Sequence, residues 1–190
     1  MLESLLTEIR QCTVCEPHLP LGANPVIRAH SAAKILIIGQ APGTKVHQTS
    51  IPWNDASGER LRQWLGLDRE AFYCQENIAI MPMGLCYPGK GRSGDLPPRK
   101  ECAPLWHAKV LEQLPNRQLT LLIGQYAQHY YLSDKPSTLT ETVQQWQRRA
   151  PSVLPLPHPS PRNTLWLRNH PWFEQDIVPY LRQRVKQVLT

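Results

Sequence analysis

Short apolar runs alternate along the chain with longer stretches in which apolar residues recur at helical spacing. The runs predict buried strands over 34–39, 77–81, 119–124 and 152–157. The stretches around them predict helices over 1–15, 57–65, 101–114, 125–130, 137–149 and 173–188. Because strands alternate with helices, we expect an α/β fold, a three-layer α/β/α sandwich around a four-stranded parallel sheet.

Length and composition favour one globular domain over residues 1–190, in which residues 1–32 form an N-terminal helix and a cysteine-bearing extension. The longest apolar runs are far shorter than the roughly 20 residues that a membrane helix needs. The N-terminus has no basic region followed by an apolar core, so we expect no signal peptide. We therefore expect a cytoplasmic protein, and we expect it to be a monomer.

The net charge favours a polyanionic partner such as nucleic acid. The formal charge is +6 and the pI is about 9.2, a balance that promotes fast, salt-sensitive encounter with DNA or RNA. Many basic proteins bind no nucleic acid, however, and the chain has no solid basic run. The net charge alone therefore does not identify the binding partner.

The five cysteines favour a metal site over disulfides in a cytoplasmic protein. Cys12 and Cys15 form a C-x-x-C pair, Cys86 and Cys102 lie sixteen positions apart, and Cys74 is left over. Four thiolates can hold a [4Fe–4S] cluster or a tetrahedral zinc ion. Reduced, buried thiols with no cofactor are the third possibility.

Two segments rich in Gly and Pro follow the first and the fourth predicted strands. The first motif is Gly39-Gln40-Ala41-Pro42-Gly43, and the second motif is His158-Pro159-Ser160-Pro161-Arg162-Asn163. The carboxyl ends of parallel strands border the ligand crevice of an open sheet. We therefore expect the two motifs to face each other across one site.

These motifs resemble the two signature segments of the uracil-DNA glycosylase superfamily, and the chain is most similar to its iron–sulfur branch. The resemblance extends from Cys12 to the terminal helix. It implies the same sandwich fold and a DNA base-excision glycosylase. Such an enzyme hydrolyses the N-glycosidic bond of uracil or another damaged base that is flipped into a pocket. The resemblance implies a monofunctional enzyme that acts on DNA.

The resemblance also implies a cofactor. The iron–sulfur branch carries a C-x-x-C pair before the first motif and two further cysteines after the second strand. Those positions correspond here to Cys12, Cys15, Cys86 and Cys102, which are expected to hold a [4Fe–4S] cluster, with zinc or no cofactor as alternatives. Cys74 is then a structural residue. The cluster would tie the N-terminal segment to the 86–102 loop.

The resemblance implies that two aromatic residues contact the flipped base. His158 is expected to donate a hydrogen bond to the carbonyl oxygen of the departing base. Trp53 follows Gly43 by ten positions, where the branch has a Phe that stacks on the base, and Gly58 coincides with a glycine of the family. The alternatives are a packed histidine and a core tryptophan.

The chain departs from the family at three positions. Gln40 replaces a Glu of the iron–sulfur branch, and Ala41 lies beside the base where the most active branch has an Asp. Gln40 can orient water but cannot act as a base, so Asp55 and His47 are candidate substitutes, or else ordinary loop residues. Pro82 occurs where the family has the Asn that reads uracil, which leaves Asn54 as an alternative reader.

The loops around the site are expected to contact DNA. Ser160 can bind phosphate, and Arg162 can serve as a phosphate anchor or as a wedge in the gap left by the flipped base. The turn after the third strand offers backbone N–H groups to a phosphate. The expected DNA-binding residues are Pro42, Gly43, Ser160, Pro161, Arg162, Gly124 and Gln125.

Three classes of function remain compatible with these residues. The first is a DNA glycosylase, and the second is a superfamily member that binds DNA or a modified base with little or no catalysis. The missing carboxylates and the missing Asn favour the second class. The third class, an enzyme acting on free nucleosides or nucleotides, is disfavoured by the basic charge and by the Ser-Pro-Arg loop.

Overall fold

Six strands form two sheets in the computed structural model, which describes residues 1–190. The central sheet has four parallel strands in the order β2-β1-β5-β6, and β3 and β4 form a separate antiparallel hairpin. The four-stranded parallel sheet is therefore confirmed. The strand bounds are β1 Ile35–Ile38, β2 Ile78–Ile80, β3 Lys90–Gly91, β4 Gly94–Asp95, β5 Leu119–Ile123 and β6 Val153–Leu156.

Both faces of the central sheet are buried, as expected for parallel strands with helices on each side. Along β1, Ile35 and Ile37 point into one hydrophobic core, whereas Leu36 and Ile38 point into a second core on the opposite face. This alternation follows from the two-residue period of a strand. Pro155 lies in β6, an edge strand, where its missing N–H is tolerated.

The chain has nine α-helices, and all except α2 pack against the two faces of the sheet. Buried residues of α3, α7, α8 and α9 belong to the core of Ile35, and those of α1, α5 and α6 belong to the core of Leu36. The three-layer sandwich is therefore confirmed. The helix bounds are α1 Leu2–Arg10, α2 Thr44–Thr49, α3 Ala56–Leu65, α4 Arg69–Phe72, α5 Ala108–Glu112, α6 Gln125–Tyr131, α7 Leu139–Gln144, α8 Thr164–Asn169 and α9 Val178–Leu189.

Several predicted helices are shorter or less regular than their apolar spacing indicates. The first helix ends at Arg10, so Cys12 and Cys15 lie in the turn beyond it. The predicted helix over 137–149 divides into α7 and a 3₁₀ turn, in which Trp146 packs on Tyr180 at a ring-centroid distance of 4.5 Å. The predicted helices over 101–114 and 173–188 each begin with a π-helical turn.

Three elements that the apolar pattern does not indicate lie beside the carboxyl ends of the strands. Helix α2 follows the first motif directly, and α8 follows the second motif. The β3–β4 hairpin interrupts the Gly- and Pro-rich stretch over 82–99, which the sequence indicates only as a loop. None of the helices is long and apolar enough to cross a membrane.

The core around Phe173 provides a test of the packing. This side chain is fully buried and lies edge-on to Trp64 at a ring-centroid distance of 4.8 Å. Phe173→Ala is expected to lower the free energy of unfolding by about 3–5 kcal/mol in denaturant titrations, because it leaves a large cavity. Leu165→Ala, at a side chain that is 62% exposed, is the control, with an expected change within about 0.5 kcal/mol. Equal losses in the two variants would contradict this packing.

Candidate active site

A cavity of about 800 Å³ lies where the four strands of the central sheet end. Each strand contributes residues from the segment that follows it. These residues include Gly39 to Gly43 after β1, Pro82 after β2, Gly124 and Gln125 after β5, and Pro157 and His158 after β6. The two motifs therefore line one cavity, at the position that open parallel sheets use for ligands.

His158 is held in one tautomer by its own loop. Its Nδ1 accepts a hydrogen bond from the backbone N–H of Ser160 at 3.1 Å, so the ring proton is on Nε2. The side-chain amide of Asn163 donates to the His158 carbonyl oxygen at 2.8 Å and fixes the backbone. Burial lowers the pKa of His158, and nearby Asp55 offsets part of that effect. His158 is thus a neutral imidazole that can donate through Nε2–H.

Trp53 forms a wall of the cavity between the two motifs. The centroid of its ring lies 5.6 Å from that of His158, with an angle of 34° between the planes. A Cβ atom on Gly39 would lie only 2.8 Å from the Trp53 ring, which explains the glycine at the start of the first motif. Trp53 is 9% exposed and packs in the core as well as against the cavity.

The backbone of Trp53 is strained and is held by its surroundings. Its φ of 60° lies in the left-handed region, which is uncommon for a residue with a bulky side chain. The buried guanidinium of Arg62 donates to the Trp53 carbonyl oxygen at 3.1 Å. Gly58 is required here because a Cβ would collide with that oxygen. The hydroxyl of Tyr73 donates to the neighbouring Pro52 carbonyl oxygen at 2.7 Å.

The first motif is joined to the loop that follows β2. The Gly39 and Gln40 carbonyl oxygens accept hydrogen bonds from the backbone N–H groups of Met83 and Gly84, both at 2.9 Å. Gln40, Ala41, Pro42 and Gly43 all line the cavity. Asp55 lines it too, but its Oδ1 accepts a hydrogen bond from the Gly58 backbone N–H at 2.8 Å and caps α3. Asp55 therefore has a structural role as the N-cap of α3, whether or not it also takes part in catalysis.

Two of the predicted base-binding residues, Asn54 and His47, do not line the cavity. The side chain of Asn54 accepts a hydrogen bond from Arg69 at 3.3 Å and donates to Thr49 at 3.4 Å. His47 lies in α2, with its ring centroid 6.2 Å from that of Tyr87. Neither belongs to the cavity wall, because the left-handed turn at Trp53 and the α2 helix direct these side chains away from it.

The second motif contacts the β3–β4 hairpin, which sequence reasoning missed. The Arg162 guanidinium donates to the Ser93 carbonyl oxygen, and a Cβ on Gly94 would collide with that guanidinium. Lys90, Ser93 and Asp95 consequently line the cavity together with Ser160 and Arg162. Pro161 begins a 3₁₀ turn next to the cavity. The glycines at 91 and 94 were the signal for a hairpin, but no sequence pattern indicates what it touches.

The turn after β5 lies next to His158 and uses a glycine in the left-handed region. Gly124 has a φ of 86°, and a Cβ on it would lie 4.0 Å from the His158 side chain. Its N–H donates to the Leu156 carbonyl oxygen at 2.9 Å, which joins β5 to β6 at the cavity. Gln125 is the first residue of α6 and lines the cavity beside it.

Comparison with known proteins agrees with this geometry. The family model described as the uracil DNA glycosylase superfamily matches residues 28–182, which include both motifs and the cavity-lining hairpin. The chain belongs to the uracil DNA glycosylase superfamily. A similar curated protein is the Type-4 uracil-DNA glycosylase of Thermotoga maritima, which is 22% identical over 141 residues, covering 74% of this chain and 71% of the relative.

Membership of the uracil DNA glycosylase superfamily confirms the resemblance that the two motifs indicate. It supports DNA glycosylase activity in general, with DNA as the substrate. The matched segment begins after Cys12 and Cys15 and includes Cys86 and Cys102.

The cysteines predicted to hold a cofactor surround a second, smaller cavity. Its walls include all four thiols together with Arg99 and Trp106. No three His, Cys, Asp or Glu side chains are grouped so that they could hold a single metal ion. Burial raises the pKa of Cys15 and of Cys86 to about 11 and also raises that of Cys102. Cys74 lies outside this cavity.

A buried histidine supports the cavity-lining loop after β2 in this superfamily member. His107 is 1% exposed, and its Nε2 lies 2.9 Å from the Pro82 carbonyl oxygen. Because that oxygen can only accept, Nε2 carries the proton, and Nδ1 accepts from the Tyr131 hydroxyl at 2.5 Å. Burial lowers the pKa of His107 to about 4 and raises that of Tyr131, so both groups are neutral. The chain of hydrogen bonds ends at Pro82, which lines the cavity.

This buried histidine predicts an acid-sensitive fold. The folded protein protonates His107 only near pH 4, whereas an unperturbed histidine is protonated near pH 6.5. The free energy of unfolding should therefore fall as the pH drops from 6.5 to 4, by roughly 3 kcal/mol from this group. His107→Phe should flatten that dependence and should cost about 1–3 kcal/mol at pH 7, because two polar groups lose their partner.

Denaturant titrations at several pH values measure this effect. His129→Phe, at an exposed histidine, is the matched control and should keep the wild-type pH dependence. An unchanged pH dependence in His107→Phe would contradict the assignment.

Proposed function

We propose that this protein is a DNA base-excision glycosylase that hydrolyses the N-glycosidic bond of uracil or of another damaged base. The observation that carries the proposal is the neutral His158, whose Nε2–H is free to donate in the cavity that both motifs line. Breaking the bond leaves negative charge on the departing base, and a fixed hydrogen-bond donor stabilises it. The reaction needs no amine nucleophile, in keeping with a monofunctional enzyme.

Trp53 provides an aromatic surface for the flipped base. Stacking of a base on an aromatic side chain contributes about 1–3 kcal/mol and works for any base, since every base has a π-face. The strained backbone at Trp53 supports this role, because such strain is concentrated at ligand-binding positions. Gln40, at the opposite motif, would orient the attacking water through its amide.

The identity of the base rests on the loop after β2. Pro82 replaces the Asn that reads uracil in the family, and a proline has no side-chain donor. Its carbonyl oxygen is occupied by His107. Uracil is therefore one candidate among several, and hypoxanthine, xanthine and oxidised pyrimidines belong in the same assay.

A [4Fe–4S] cluster bound by Cys12, Cys15, Cys86 and Cys102 is part of the proposal. The four thiols surround a cavity and do not converge on one point. In a cubane cluster each thiolate binds a different iron, whereas a single zinc would need all four sulfurs about 2.3 Å from one ion. Arg99 also lines the cavity and can offset the negative charge of such a cluster. The cluster would supply a structural cross-link between the N-terminal turn and the 86–102 loop.

Base release provides the test of the activity. Anaerobically purified protein is incubated with single- and double-stranded oligonucleotides that carry the candidate bases, and abasic sites are detected by alkaline cleavage. His158→Ala should slow release on the order of 10²–10³-fold, because it removes one donor to the leaving base. His129→Ala is the control and should act like wild type, and a His158→Ala rate equal to that of wild type would contradict the role.

Metal content tests the cluster. The purified protein should contain iron and acid-labile sulfide, and Cys86→Ser should lower both and reduce the melting temperature. Cys74→Ser removes a thiol outside the cavity and is the matched control. Zinc without iron or sulfide in the wild-type protein would refute the cluster.

The second candidate function is DNA or modified-base binding with little or no catalysis. The first motif favours this function, because it places Gln40 and Ala41 at the cavity wall and contains no carboxylate. Tight binding of duplex DNA without release of any base from the panel would support it over the glycosylase.

A further inference from the structure

The cavity contains two carboxylates, and only one of them is committed to the fold. Asp55 accepts a hydrogen bond from the Gly58 backbone at 2.8 Å and caps α3. Asp95 also lines the cavity and takes part in neither ion pair of the structure, which are Arg99–Glu101 and Arg149–Asp134. Asp95 is thus the carboxylate that can act on a ligand without giving up a structural contact.

Asp95 lies between the β3–β4 hairpin, to which it belongs, and the first motif. Within the hairpin Asp95 pairs with Lys90, and the turn is held to the second motif by the hydrogen bond from Arg162 to Ser93. On the other side, its Oδ2 lies 3.6 Å from the position that a Cβ on Gly43 would take. The carboxylate therefore lies against the first motif, in the same cavity as His158.

The electrostatic surroundings of Asp95 are mixed. The pKa of Asp95 lies above its ordinary value, because partial burial raises it more than the charges of Arg162 and Lys90 lower it, and Asp55 raises it further. Asp95 in turn contributes to the raised pKa of Tyr87. The two nearby cations favour the ionised carboxylate at neutral pH.

We propose that Asp95 is the catalytic carboxylate of this site, which stabilises the positive sugar and takes a proton from the attacking water. The inference rests on the proposed glycosylase function. As the bond from C1′ to the base nitrogen breaks, its electron pair leaves with the base, near the His158 donor, and the sugar becomes cationic. The water oxygen then bonds to C1′, one of its protons passes to Asp95, and a proton from Asp95 or solvent neutralises the base. The products are the free base and an abasic sugar with a hydroxyl at C1′.

Binding of a cationic sugar analogue tests this role independently of turnover. Two duplexes differ at one nucleotide, which carries either a pyrrolidine, protonated at neutral pH, or a neutral tetrahydrofuran ring. Wild-type protein should bind the cationic duplex about tenfold more tightly, as expected for a partly screened charge pair. Asp95→Asn should lose that preference and bind the neutral duplex within about twofold of wild type, since an amide retains the shape but lacks the charge.

Asp176→Asn is the matched control, because it makes the same change in net charge at an exposed residue outside the cavity. It should keep the wild-type preference. The proposal is overturned if wild type shows no preference for the cationic duplex, or if Asp95→Asn keeps that preference.

The base-release assay separates this inference from the proposed function. Equal rates for wild type and Asp95→Asn would overturn the role of Asp95 and leave the glycosylase intact. A preference for the cationic duplex that depends on Asp95, without release of any base, would refute the glycosylase and keep the carboxylate in contact with the sugar.

Discussion

The packing of the Trp53 ring against Gly39 and His158 is the contact on which the rest of the site depends. This one side chain joins the end of β1 to the end of β6 and belongs to both the core and the cavity wall. A left-handed backbone at such a residue costs of order 1–3 kcal/mol. The buried Arg62 offsets that cost by binding the Trp53 carbonyl oxygen, and Gly58 leaves that oxygen room. Because Gly58 and Arg62 both belong to α3, this helix holds the backbone conformation of Trp53 and thereby the shape of the cavity wall.

The stretch over 82–102 connects the two cavities of the molecule. It is held at Pro82 by His107 and at Gly84 by the Gln40 carbonyl oxygen. Cys86 and Cys102 then attach it to the thiol-lined cavity. Its middle, the β3–β4 hairpin, is attached to the second motif. A cross-link among the four thiols would consequently restrict the same segment that forms one wall of the large cavity.

The parts of the structure that could be predicted from sequence are those governed by local pattern. The continuous apolar run of β1 and the Gly- and Pro-rich segment after it predict a buried strand with a loop at its carboxyl end, and both are present. The hairpin contact could not be predicted, because Arg162 and Ser93 are distant in sequence and meet only in the folded chain. The orientation of Asn54 likewise depends on the positive φ of its neighbour Trp53, which no residue pattern indicates.

Charge is divided within the large cavity in a way that suits a reaction separating a base from a sugar. Lys90 and Arg162 place positive charge in the cavity wall, whereas burial disfavours the charged form of His158. The hydrogen bond from Ser160 and the burial of the ring keep His158 neutral while leaving Nε2–H free. A neutral donor stabilises a developing anion without first attracting a free phosphate into the pocket. Under the proposed function, Lys90 and Arg162 would contact the DNA backbone and His158 would donate to the departing base.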